Sequence, residues 1–139
     1  MLKTAVLPAE LVPGFGPGIP RLLSRCVRPS YRLALMAPGQ RCLLWLSGRR
    51  EPGVHALGVL AGSPGPAGPP ASSGPTVELV LHLLTDPLSR ADLLADPGFR
   101  AAEVVRIPAG SNPSWLNSTQ LAAVADRVDD PSLRAAGWT

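Results

Sequence analysis

The chain carries 17 prolines and 14 glycines in 139 residues, and this punctuation limits what it can fold into more than any other feature. A proline inside a helix removes a hydrogen bond and clashes with the preceding turn, and a glycine adds backbone entropy that folding must remove. The combined share lies just under the ~25–30% typical of low-complexity chains. Short elements joined by many tight turns are therefore expected, without long uninterrupted helices. A core is still available, because Leu, Ile, Val and Phe supply 37 residues, above the roughly 20% below which chains tend to disorder. The length fits one domain, residues 1–139, with no room for a separate catalytic module.

The punctuation is densest at Gly62–Pro75, where GSPGPAGPPASSGP contains only Gly, Pro, Ser and Ala. Such a segment has nothing to bury, so it reads as a flexible surface loop, and the strand-like segments on both sides make it a long hairpin connection. Before it, Arg41–Ser47 is a continuous apolar strand, buried on both faces. A turn at Gly48–Gly53 leads to a second strand, Val54–Ala61, where Gly58 marks a bulge or a close backbone approach. After the loop, Thr76–Leu84 alternates, with Val77, Leu79, Leu81 and Leu83 on one face and Glu78, Val80 and His82 on the other.

Helix signals are short. Ser89 and Asp92 form a capping arrangement before Arg90–Leu94, and Asp96-Pro97 opens a turn at Gly98–Ala102. Asn117 and Gln120 open a helix running to about Val128, with 129–139 left as a C-terminal tail. The spacing also predicts strands at Lys3–Leu7 and Val104–Ile107 and a helix near Ile19–Cys26, with Pro20 in its first turn. The expected fold class is α+β, with strands closing or nearly closing into a small β-barrel flanked by short helices.

The charge is asymmetric. Residues 1–50 hold Lys3 and seven arginines against Glu10 alone, whereas residues 51–139 hold five arginines against nine acids. A positive segment of this kind attracts phosphate, and the preference for Arg over Lys is also what a GC-rich genome writes on any surface. Pro8 and Glu10 interrupt the apolar start too early for a signal segment, and no apolar run approaches the ~18–20 residues of a membrane helix. A cytoplasmic protein with no membrane association is expected. Cys26 and Cys42 have no metal-ligand spacing and read as two buried thiols.

Catalytic signatures are lacking. His55 and His82 have no partner at i+3 or i+4, Glu78 and His82 share a strand face without a nucleophile elbow, and Gly14–Gly18 meets neither glycine-rich phosphate motif. The expectation is a protein that is not an enzyme and needs no metal or cofactor. The few aromatic residues are more informative. Trp45 is central to the apolar strand, Tyr31 lies within the arginine stretch, and Trp115 follows Gly110-Ser111-Asn112-Pro113. An indole beside such a polar loop could build a pocket for a planar heterocycle, and either tryptophan could equally plug the core.

The run Pro38-Gly39-Gln40-Arg41-Cys42-Leu43-Leu44-Trp45-Leu46-Ser47-Gly48, followed by Pro52-Gly53-Val54-His55-Ala56-Leu57-Gly58-Val59, resembles the core motif of the EVE domain. That family belongs to the PUA-like superfamily and is related to YTH and ASCH domains. The stretch from Arg90 to Leu116 is similar to the later part of short EVE-like proteins of high-GC actinobacteria, and the resemblance spans roughly residues 3–128. Gln40 stands where the pattern has Asp, Leu33 where many members have Asn, and the early strand lacks a tryptophan.

The resemblance implies a PUA-like small β-barrel with a pocket for a base, often a modified one, extruded from nucleic acid. Carried over, its pocket residues are Tyr31, Arg32, Trp45 and Ser47; the polar loop adds Ser111, Asn112 and Trp115 to the base pocket, and the basic segment adds Arg21, Arg25, Arg28, Arg49 and Arg50 as contacts to phosphates of DNA or RNA. The alternative is a module for a small metabolite or a protein partner, with a vestigial base pocket.

Overall fold

The computed structural model describes residues 1–65 and 74–139. Five strands form one curled sheet: β1 (Leu2–Thr4), β2 (Arg21–Cys26), β3 (Arg41–Leu46), β4 (Gly53–Leu60) and β5 (Thr76–Ser89), in the order β1-β3-β4-β5-β2. β1 runs parallel to β3, with Leu2 opposite Leu44, and the other pairs are antiparallel. Short helices follow the chain: α1 (Pro8–Leu11), α2 (Arg90–Leu94), α3 (Glu103–Arg106), α4 (Ser118–Ala125) and α5 (Asp130–Ala135), with a 3-10 turn at Tyr31–Leu35. The fold is α+β, a five-stranded half-barrel with short helices.

The unbroken apolar run of β3 serves both faces of the sheet. Leu43 and Trp45 join Leu57, Phe99, Val124 and Trp138 in a core beneath the helices. Cys42 and Leu44 point the other way, into a second core with Leu23, Val77, Leu79 and Leu81 inside the curl. Trp45 lies nearly parallel to Phe99 at 6.0 Å between ring centroids, the offset packing aromatic rings favour.

The expected alternation of β5 holds for Val77, Leu79 and Leu81, all buried. It shifts phase at a register irregularity between Val54 and Ala56 of β4, so Leu84 is buried in place of Leu83. Gly58 is a site of close approach and not that irregularity, since a Cβ there would lie 1.8 Å from the Val80 carbonyl oxygen. The Gly62–Pro75 connection joins β4 to β5, and its residues 66–73 lie outside the described residues.

Four expectations are corrected. The segment near Ile19–Cys26 is strand β2 and not a helix, because Leu22 and Ser24 face solvent while Leu23 enters the core against β5. Cross-strand packing there overrides the helical reading of Pro20. Val104–Ile107 is not a strand: Glu103–Arg106 makes one helical turn that buries Val104 and brings Glu103 to Arg32. The first strand stops at Thr4, whose hydroxyl accepts from the Val6 N–H at 3.3 Å and turns the chain toward α1, with Pro8 in its first turn. The supposed tail contains α5. Asp129 caps it through the Ser132 N–H at 2.8 Å, and beyond Gly137, at φ 74°, Trp138 returns into the core.

The helix caps read from Ser89 and Asn117 are formed, the second as a reciprocal capping box with Gln120. α4 ends at Ala125, short of Val128, and Cys26, expected to be buried, is exposed because it ends β2 on the same face as Leu22 and Ser24. Among the described residues, no helix is long and apolar enough to cross a membrane.

Candidate functional site

The open side of the half-barrel is lined by an irregular segment that runs beside β1. Asn112 acts there as a surrogate strand residue. Its Oδ1 accepts from the Lys3 N–H at 2.8 Å, its Nδ2 donates to the Lys3 carbonyl at 3.1 Å, and its own carbonyl accepts from the Arg28 N–H at 2.8 Å. Two residues on, Ser114 pairs with Met1: its N–H donates to the Met1 carbonyl at 2.9 Å, and its carbonyl accepts from the Met1 amine at 3.0 Å. Burial lowers the pKa of that amine.

β1 is only three residues long and begins opposite Leu44, so the first half of β3 has no strand on that side. The gap is a cleft of about 270 Å³. Leu35, Met36, Leu43, Leu60 and Leu116 supply apolar wall, and Trp115, 49% exposed, stands at its side. Three of its lining residues carry a polar side-chain group without a hydrogen-bond partner among the described residues. The Ser114 hydroxyl is buried with no hydrogen bond. Gln40 places its Oε1 on the Ala37 N–H at 3.3 Å, leaving its amide nitrogen free, and Arg41 makes no side-chain hydrogen bond. A buried hydroxyl without a partner costs about 1–3 kcal/mol, so its presence beside a cleft calls for a functional reason.

Arg32 also lines the cleft, and its charge is matched. It forms a two-pronged ion pair with Glu103, both contacts 2.7 Å, and donates to the Pro113 carbonyl at 3.2 Å. These hydrogen bonds raise the pKa of Arg32 above its ordinary value and hold the Glu103 carboxyl below the usual range. The guanidinium thereby ties the 3-10 turn, α3 and the segment bearing Trp115 together. Cys42 faces the cleft from β3, and burial pushes its thiol up to about 12.

On the other side of Leu2 lies a shallower groove bordered by Lys3, Thr4, Ala5, Ser47, Ser111 and Asn112. Most of its polar groups have partners, the Ser47 hydroxyl making no hydrogen bond among the described residues. Lys3 donates its Nζ to the carbonyls of Gly110 and Pro108, Ser111 accepts from Arg28 at 3.5 Å, and the Asn112 amide bonds β1 through both its oxygen and its nitrogen. Desolvation lowers the pKa of Lys3.

The residues expected to form one pocket are thus divided. Arg32 and Trp115 meet at the cleft, whereas Ser47, Ser111 and Asn112 meet at the groove. Tyr31, 75% exposed, lies outside both, 6.0 Å from the Arg32 guanidinium. Trp45 is in the core against Phe99, out of reach of a ligand.

The expected phosphate contacts also separate: Arg21 and Arg25 belong to β2, Arg28 borders the groove residue Ser111, and Arg49 and Arg50 occupy the turn after β3. Arg21 donates to the Gly14 carbonyl at 3.1 Å, and Arg50 pairs with Glu10 at 3.2 Å. Ser114, Gln40 and Arg41 were missed as site residues. Ser114 lay between two residues already singled out by the Trp115 loop, but nothing in the sequence placed that loop against the exposed start of β3.

Among the described residues no three His, Cys, Asp or Glu side chains converge to hold a metal. His55 is buried, with Nε2 2.6 Å from the Glu51 carbonyl.

No protein-family model and no curated protein matches the sequence. Among solved structures, the crystal structure of a Pseudomonas putida protein is similar to this chain with a TM-score of 0.55 at 15% identity, over 76% of this chain and 84% of that one. At that identity the likeness establishes a shared fold.

Proposed function

We propose that this chain is a cytoplasmic, non-enzymatic module that binds nucleic acid by taking one extruded base, a modified one among the candidates, into the cleft beside Trp115, in the manner of the EVE and PUA-like domains its sequence resembles. The observation that carries the reading is the pairing of a half-exposed indole with the buried, unpartnered Ser114 hydroxyl. Stacking on an exposed aromatic ring contributes ~1–3 kcal/mol per base, and Ser114 borders the cleft with a hydroxyl whose hydrogen-bonding capacity no protein group among the described residues uses.

The cleft volume, about 270 Å³, is just below the ~300 Å³ at which small-molecule pockets begin. That is room for one planar ring system and not for an extended ligand. Glu103 neutralises Arg32, so the wall suits an uncharged heterocycle. Among the described residues no nucleophile with an adjacent base lines the cleft, and the Cys42 thiol is held protonated at neutral pH.

Tryptophan fluorescence tests this directly, because Trp45 and Trp138 are buried and Trp115 is not. Titration with short plain and base-modified DNA and RNA strands should quench the Trp115 emission with salt-sensitive affinity. Ser114→Ala should weaken binding about fivefold while leaving stability unchanged or slightly raised. An emission unaffected by every strand at low salt overturns the reading.

A further inference from the structure

Arg41 and Arg32 border the same cleft, yet only Arg32 has an acid. The first residue of β3, Arg41 is exposed, and no carboxylate lies within ion-pair distance of it among the described residues. Its guanidinium carbon lies 5.9 Å from the centre of the Trp138 ring. That ring is fixed, since Trp138 is buried and its indole N–H donates to the Gly58 carbonyl at 2.9 Å. A cation–π contact at this distance uses the charge of the guanidinium and leaves its N–H donors available.

The ladder orients the backbone at Arg41 as well. The Leu60 N–H donates to the Gln40 carbonyl, and the Gly39 N–H donates to the Leu60 carbonyl. Alternation along an antiparallel pair then turns the N–H and C=O of Arg41 away from β4, toward the side β1 does not reach. A positioned cation with a planar fork of donors at the mouth of a ring-sized cleft matches a phosphate oxygen pair.

We propose that Arg41 binds the phosphate attached to the sugar whose base occupies the cleft, so that the ligand recognised is a nucleotide unit and not a free base or nucleoside. This rests on the base-cleft reading and adds the ligand class. The phosphate chemistry is common to a free nucleoside monophosphate and to a phosphodiester within a strand, and the arms of the test separate them.

The probes are adenosine, guanosine, cytidine, uridine and 5-methylcytidine, their 5′-monophosphates, and trinucleotides bearing the same central bases, each titrated against Trp115 emission. The monophosphate or the trinucleotide of the responding base should bind at least about tenfold more tightly than its nucleoside. Arg41→Gln should erase that advantage while leaving nucleoside affinity within about twofold. Arg41→Lys, which keeps the charge and loses the fork, should retain part of it, and Arg100→Gln, an exposed control for net charge, all of it.

A trinucleotide advantage assigns the phosphodiester, and an advantage confined to the monophosphate assigns the free nucleotide. Equal binding of nucleoside and phosphorylated forms, or an advantage that survives Arg41→Gln, overturns the role of Arg41 and leaves the base cleft standing. The absence of any response overturns the base cleft itself.

Discussion

The cleft beside Leu2 and the groove beside Lys3 are bordered by successive parts of one segment, yet their polar groups do different work. In the groove, Asn112, Ser111 and Lys3 are bonded to protein and hold β1 in place. In the cleft, the Ser114 hydroxyl, the Gln40 amide nitrogen and the Arg41 guanidinium have no hydrogen-bond partner among the described residues. Polar side chains near a depression are therefore not equivalent. Those satisfied internally secure the fold, whereas those left unsatisfied call for another explanation, which in the cleft we assign to a ligand.

The two tryptophans offered by the sequence as stacking candidates give the largest test of that contrast. Trp45→Ala should cost about 3–5 kcal/mol by leaving a hole against Phe99. Denaturant unfolding would measure it, and a change within experimental error would remove Trp45 from the core.

Next comes the tie between the regions. Arg32→Ala strands a mostly buried Glu103 and should cost about 2–3 kcal/mol, less than for a fully buried pair because both side chains retain some solvent. The effect depends on pH. A carboxyl whose pKa is lowered by folding contributes stability above its unfolded pKa, near 4.5, and loses it as pH falls through the lower folded value. The destabilisation by Arg32→Ala should therefore be full at pH 7 and shrink progressively below about pH 4.5. A pH-independent difference in melting would show that Glu103 is not the partner that matters.

In the groove, Asn112→Ala removes both amide bonds to Lys3 and should cost about 1–2 kcal/mol. Under conditions where the variant is folded, nucleotide affinity should stay close to wild type. A selective loss of binding with stability intact would move the site into the groove.

Trp115→Ala should behave in the opposite way, changing stability by no more than about 0.5 kcal/mol while weakening ligand binding by about 1–3 kcal/mol. Smallest of all is the thiol contrast. At neutral pH the exposed Cys26 should react with a thiol reagent in the folded protein and Cys42 should not, because burial holds its pKa at about 12. Counting modified thiols by mass before and after unfolding checks it.

Where the sequence was legible, one residue type decided the outcome locally. The apolar run of β3 needs two buried faces, the alternation of Val77, Leu79 and Leu81 needs a strand, and Ser89 and Asn117 cap the helices that follow them. It failed where two local readings were close in energy. Arg21–Cys26 pairs with β5, and Glu103–Arg106 coils because that turn buries Val104 and meets Arg32 across 71 positions. The site followed the same division. Trp115 was visible as an indole in a polar loop, whereas its separation from Trp45 and the recruitment of Ser114, Gln40 and Arg41 were not.

The sequence by itself determined that the chain would be built from short elements around an apolar sheet, because proline, glycine and alternation act within a few residues. Only the tertiary structure decided which arginine keeps a free charge and which hydroxyl lacks a partner. Those properties depend on groups brought together from distant parts of the chain: Glu103 reaching Arg32, Trp138 lying beneath Arg41, and a first strand too short to cover the start of the third.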